Sequence, residues 1–227
     1  MRSNNRVFIG IAGLALAVLS CQALSGLGGG TPGAPGTPHD DNIILEDDFS
    51  SPRWGTGTDK DSSIEYANEA LQFIIYTKNY FVWSLPNDDD YESVHMEVTV
   101  SNNNTDPTTA FGIMCHQQVT GDAFYYFAIT PAGQYAIAKA AVGVKDIFLT
   151  NSNEWQYSDF VKANAPSYRI GADCGAGTLT LYVDGQKVDS VTDTSYNSGG
   201  VALFVWSGED VASADVTFDD FVMKKLP

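Results

Sequence analysis

Positive charge is scarce in this chain: 12 Lys and Arg stand against 28 Asp and Glu among 227 residues, a formal net charge of −16. A surface this acidic argues against binding DNA, RNA or anionic headgroups through a basic patch. Histidine and cysteine are also sparse, three of each. His39, His95 and His116 form no tight ligand spacing with the cysteines, which argues against a zinc-type centre. No Gly-x-Ser-x-Gly elbow occurs, and three histidines among a few serines define no triad. Cys115 and His116 are sequence neighbours, yet neighbours on a strand point to opposite faces, so a Cys–His pair is not expected. No segment repeats convincingly at the helical period. Beyond the first 20 residues no apolar run approaches the roughly 20 residues of a membrane helix.

One apolar run stands apart. Arg2 and Arg6 precede residues 7–19, all apolar or Gly, and Ser20 precedes Cys21. This order reads as a secretory signal over residues 1–20, its core too short to act as a stop-transfer helix. The ending Val18-Leu19-Ser20-Cys21 resembles a bacterial lipobox. That resemblance implies that Cys21 becomes the lipidated first residue, mooring an extracytoplasmic lipoprotein to a membrane face (cell surface or periplasmic) through acyl chains alone. The alternative is an ordinary signal with Cys21 in its cleavage region. Residues 21–41, rich in Gly, Pro, Ser, Thr and Ala, cannot bury enough apolar surface to offset their entropy and read as a flexible tether.

Losing residues 1–20 leaves 10 basic residues against 28 acidic, a formal charge of −18. That excess serves solubility or an acidic binding face, with calcium the main candidate because hard cations take carboxylate and carbonyl oxygens. With Cys21 assigned to lipid, Cys115 and Cys174 remain as an even pair outside the cytoplasm, where disulfides persist. Each lies in a strand-like segment, so a bridge between neighbouring strands is expected, with two buried free thiols as the alternative.

Residues 42–227 suit one domain with a substantial core. Short β-branched and aromatic runs recur between turn residues, the pattern of an all-β, two-sheet antiparallel β-sandwich. The clearest hairpin is 177–183, Asp184-Gly185, 186–191, because Asp-Gly supplies the positive φ angles of a two-residue turn. A meander follows from 110–118, 123–130 and 134–142. Its middle strand is apolar on both faces and should be central. Further strands are expected at 43–48, 70–77, 80–85, 91–100, 167–172, 200–206 and 214–224.

Gly177-Thr-Leu-Thr-Leu-Tyr-Val-Asp-Gly-Gln, Ser198-Gly-Gly-Val-Ala-Leu-Phe and Val216-Thr-Phe-Asp-Asp-Phe resemble the concanavalin A-like lectin/glucanase jelly roll, in its laminin G-like and keto-disaccharide-hydrolase-like form. Leu45-Glu-Asp-Asp-Phe-Ser with Trp54 fits the opening of such modules. The resemblance spans residues 43–226 and implies a fold that hosts lectins, glycosidases, lyases and spacers alike. Glucanases of this fold carry Glu-x-Asp-x-x-Glu on one strand, placing a nucleophile and an acid/base on one face. Here Glu92 and Glu97 occupy the outer positions but Val94 replaces the middle Asp, so two solvated carboxylates are expected rather than a catalytic pair. The resemblance also implies a structural calcium where the first and last strands meet, at Asp47, Asp48, Asp219 and Asp220.

Sugar binding needs aromatic platforms and a few polar groups for hydroxyls. Most aromatics here should be core. Trp83, Tyr126 and Trp206, with His116 and Lys139, are the candidates for a glycan-binding face. Trp155 and Tyr157 are expected in a loop packed onto the sandwich. The sequence therefore points to a membrane-moored, non-catalytic glycan-binding module. A glycoside hydrolase with a non-standard carboxylate pair, or a structural or protein-interaction domain, stands as the alternative.

Overall fold

The structure, a computed structural model, describes residues 42–104, 106–119, 123–150, 153–175, 177–209 and 213–227. The signal, Cys21 and the tether lie outside these residues. Among the described residues the regular structure is nearly all strand. In chain order the strands are β1 (Ile43–Asp47), β2 (Gly57–Thr58), β3 (Ser62–Ala67), β4 (Ala70–Ile75), β5 (Phe81–Ser84) and β6 (Val94–Asn102). There follow β7 (Ala110–Gln117), β8 (Ala123–Ile129), β9 (Gln134–Ala141), β10 (Ile147–Phe148) and β11 (Gln156–Tyr157). The last five are β12 (Tyr168–Gly175), β13 (Thr178–Val183), β14 (Gln186–Thr192), β15 (Gly200–Trp206) and β16 (Ala214–Lys225).

They form two antiparallel sheets. The first runs β14-β13-β12-β6-β16-β4-β3-β2 with β1 on β16, and the second runs β10-β9-β8-β7-β15-β5 with β11 on β9. Alternation decides the inner faces. In the first sheet Val94, Met96, Val98 and Val100 point inward while His95, Glu97 and Thr99 point out, the pattern of a sheet wet on one side. In the second sheet both faces are apolar. Phe111, Ile113, Tyr125, Phe127, Leu203 and Val205 fill the inter-sheet core. Phe81, Met114, Phe124, Tyr126 and Phe204 form a separate buried cluster on the opposite face.

The expected hairpin is present: Asp184 and Gly185 have φ of 50° and 73°, and Val183 pairs with Gln186. The central placing of β8 also holds, between β7 and β9. Two details differ. Residues 91–93 contribute only an isolated bridge from Tyr91 to Gly199, so β6 begins at Val94. Strand β3 was not expected, because Ser62 and Ser63 are buried polar residues that break its apolar pattern. Cys115 and Cys174 are disulfide-bonded. The bond does not join hydrogen-bonded neighbours: it crosses the core from β7 in one sheet to β12 in the other.

Candidate functional site

The outer face of the second sheet carries a groove of about 670 Å3. It is hollow because Ala110 and Ala128 line it where longer side chains would fill it, while aromatic residues rise around them. Phe81 and Phe204 stack with centroids 4.8 Å apart and planes 14° apart, and Tyr126 meets Phe204 edge-on at 5.6 Å. Trp206 forms one wall. The opposite wall comes from the chain after β9, where Phe148 and Trp155 meet edge-on at 5.7 Å. Tyr157 stands at the rim, 73% exposed.

Polar groups are set among these rings. The Tyr126 hydroxyl donates to Asp146 Oδ2 at 3.1 Å, and Trp206 Nε1 donates to Asn79 Oδ1 at 3.2 Å. Both bonds fix the tilt of a ring that borders the groove. Asn153 Oδ1 accepts from the Phe148 backbone N–H at 2.9 Å, holding the wall to β10. Glu154 and Glu209 complete the rim with Lys145. Flat apolar faces bordered by hydrogen-bonding groups can hold a ligand that is apolar on its faces and polar at its edges.

Of the residues singled out in the sequence, Tyr126 and Trp206 line this groove. Trp83 lies on the same sheet face, packed against Phe81 at 5.8 Å and Phe124 at 6.2 Å, but is not among the lining residues. His116 and Lys139 are not brought to it. His116 sits at a register shift between β7 and β15 with φ of 50°, and the bulge breaks the alternation that would have aligned it with Met114. Its ring nitrogens contact the Tyr196 and Glu92 carbonyls at 3.0 and 3.2 Å, and burial pushes its pKa down despite those bonds.

Lys139 follows Tyr135 and Ile137 on the core side of β9. It donates to Asp193 Oδ2 at 2.7 Å and Ser195 Oγ at 2.8 Å. Burial alone would raise the Asp193 carboxyl. Hydrogen bonds from Lys139, Ser195 and Tyr125 outweigh that effect and hold it well below the usual carboxylate range.

Glu97 lies on the outer face of the first sheet, the layer opposite the groove. It accepts from Arg169 at 3.2 Å and contacts His95 Nε2 at 3.2 Å. His95 Nδ1 contacts Asp173 Oδ1 at 2.6 Å, and Asp173 Oδ2 accepts from the Tyr182 hydroxyl at 2.8 Å. The Asp173 bond raises the His95 pKa against the opposing effect of burial, with Glu97 adding to the rise. Glu92 is exposed and precedes β6, while Val94 is core. Neither glutamate is among the groove residues.

β1 and β16 do pair, with Asp47 opposite Phe221. Asp47 Oδ2 accepts from Trp54 Nε1 and meets Arg53 Nε, both at 3.2 Å. Asp48 caps Ser50, and Asp219 accepts from the Asp220 N–H at the bulge in β16. Among the described residues no group of three or more His, Cys, Asp and Glu side chains is placed to hold a metal ion.

Sequence reasoning missed Phe81, Asp146, Phe148, Glu154, Phe204 and Glu209, and assigned Trp155 to loop packing alone. One signal was available: β5, β8 and β15 are apolar at consecutive positions, as strands buried on both faces must be.

The fold is the concanavalin A-like jelly roll, two antiparallel sheets in a sandwich. Its solved neighbours include the carbohydrate-binding module CBM66 of Bacillus subtilis, with 13% identity and a TM-score of 0.60 over 76% of this chain and 96% of that one. A protein of unknown function with a galectin-like fold from Bacillus subtilis gives 0.60 at 9% identity, over 81% of this chain and 96% of that one. The Bacillus licheniformis β-glucanase gives 0.56 at 13% identity, over 83% and 100%. No family model matches the sequence, and no curated protein matches it.

Proposed function

We propose that this chain is a non-catalytic glycan-binding module whose ligand lies in the groove of the second sheet, presented from a membrane by a lipid on Cys21. One observation carries the reading: a groove of about 670 Å3 with stacked and edge-on rings, bordered by carboxylates and amides. Pyranose rings offer C–H faces to aromatics and hydroxyls to such groups. The carbohydrate-binding module and the glucanase among the neighbours support a glycan-related role. A glycan array probed with the purified protein tests it, and the expected result is a defined set of bound oligosaccharides.

Hydrolysis is the second reading, favoured by carboxylates of Asp146, Glu154 and Glu209 in one groove. Reducing-sugar release from a polysaccharide panel, abolished by Glu154→Gln, would replace the binding reading. The anchor is tested separately. Cys21→Ser should shift the protein from the membrane to the soluble fraction and abolish fatty-acid labelling, and membrane retention with labelling intact would sink it.

A further inference from the structure

The polar groups of the groove are unbalanced in sign. Asp146, Glu154 and Glu209 line it, and Lys145 is the single cation among the lining residues. These acids have different settings. Glu154 and Glu209 are exposed at the rim, whereas Asp146 is partly buried against the rings and accepts a hydrogen bond from the Tyr126 hydroxyl on Oδ2. The Trp206 N–H is turned to Asn79, and Asn153 spends its amide oxygen on the Phe148 backbone. Those bonds use amide oxygens and leave the amide NH2 groups as donors, so the imbalance lies in charge: three carboxylates, which accept and do not donate when ionised, stand against one ammonium.

A sugar hydroxyl or ammonium donates and can meet them. A uronate, sialate or sulfate is itself an acceptor and negative. It would set like charges together beside a low-dielectric aromatic wall, where each such contact weakens binding by roughly tenfold or more. An ammonium on a sugar ring gains twice, from the carboxylates and from the negative faces of Trp155, Trp206 and Tyr126.

Building on the glycan-binding reading, we propose that the groove selects its ligand by charge. Sugars bearing free amino groups bind most tightly, neutral sugars bind less tightly, and uronic, sialic and sulfated sugars are rejected. Asp146, Glu154 and Glu209 are the discriminating groups. Net charge alone would give a nonspecific preference for cations, so the test must separate the groove from the rest of the acidic surface. Asp88, Asp89 and Asp90 provide the control: they are exposed between β5 and β6 and outside the groove lining.

The experiment compares glucosamine oligomers, their N-acetylated counterparts of equal length and oligouronates by calorimetry on the purified protein, beside the glycan array. The glucosamine oligomer should bind about tenfold more tightly than the acetylated one, with the oligouronate undetected. Glu154→Gln with Glu209→Gln should collapse the preference, while the triple change Asp88→Asn, Asp89→Asn, Asp90→Asn should leave it within about twofold. Oligouronate binding as tight as that of glucosamine oligomers, or equal loss of preference in the triple variant, would overturn the charge selection. Binding to no glycan on the array would overturn the glycan-binding reading instead.

Discussion

The sulfur atoms of Cys115 and Cys174 are bonded across the core, tying β7 of the groove-bearing sheet to β12 of the opposite sheet. Fifty-nine residues separate them in sequence. Closing a loop of that length removes entropy from the unfolded chain equivalent to about 4 kcal/mol in the chain-entropy account. Replacing both cysteines by alanine should lower the melting temperature by on the order of 10 °C. Calorimetric melting of the double variant checks this, and an unchanged midpoint would remove the bridge from the account of stability.

The two described histidines should titrate in opposite directions. His95 faces Asp173 and Glu97, which hold its proton, so its folded pKa lies above the ordinary 6.5. Its contribution to stability is fully present below 6.5 and is lost as pH rises through the folded value. His116 is buried and shifted down, so it is neutral in the fold where the unfolded chain is charged. Acidification from 6.5 toward its folded pKa therefore destabilises the protein. NMR titration of the imidazole resonances should give one midpoint above and one below 6.5. Asp173→Asn should bring the higher midpoint down, and no movement in that variant would contradict the geometry.

Asp219 is a stability defect that one atom can mend. Burial raises its carboxyl pKa first, and the charges of Asp220, Asp48 and Glu69 add to the rise against the Asp220 N–H bond. A raised carboxylate favours the fold when protonated, so stability falls as pH rises from 3.8 through the folded pKa and stays lower above it. Asp219→Asn removes the charge and keeps an oxygen for the Asp220 N–H. The variant should melt higher than the parent at pH 7 and lose that advantage near pH 3. A lower midpoint at pH 7 would contradict this assignment.

The sandwich was legible because its strands alternate and its turns carry the required residues: Asp184-Gly185 is the plainest case. The groove was half legible. Tyr126 and Trp206 could be picked as aromatics near polar residues, yet Phe148 and Trp155 reach the groove through connections with no periodicity to read. Lys139 shows a different limit. Alternation groups it with Tyr135 and Ile137, but Ala136, Ala138 and Ala140 make the other face equally apolar, so the pattern could not say which face was inside. His116 failed for a third reason: a one-residue bulge reverses the facing of everything inferred by counting in twos.

The central claim, that the aromatic groove holds a glycan, is tested most directly by calorimetry of the tightest array glycan against groove and control variants. Trp155→Ala and Trp206→Ala should each weaken binding by about tenfold or more, the cost of losing a stacking face. Tyr182→Phe, on the outer face of the opposite sheet, should bind as the parent does. Unchanged affinity in both tryptophan variants, or loss of binding in Tyr182→Phe, would place the ligand elsewhere and contradict the account.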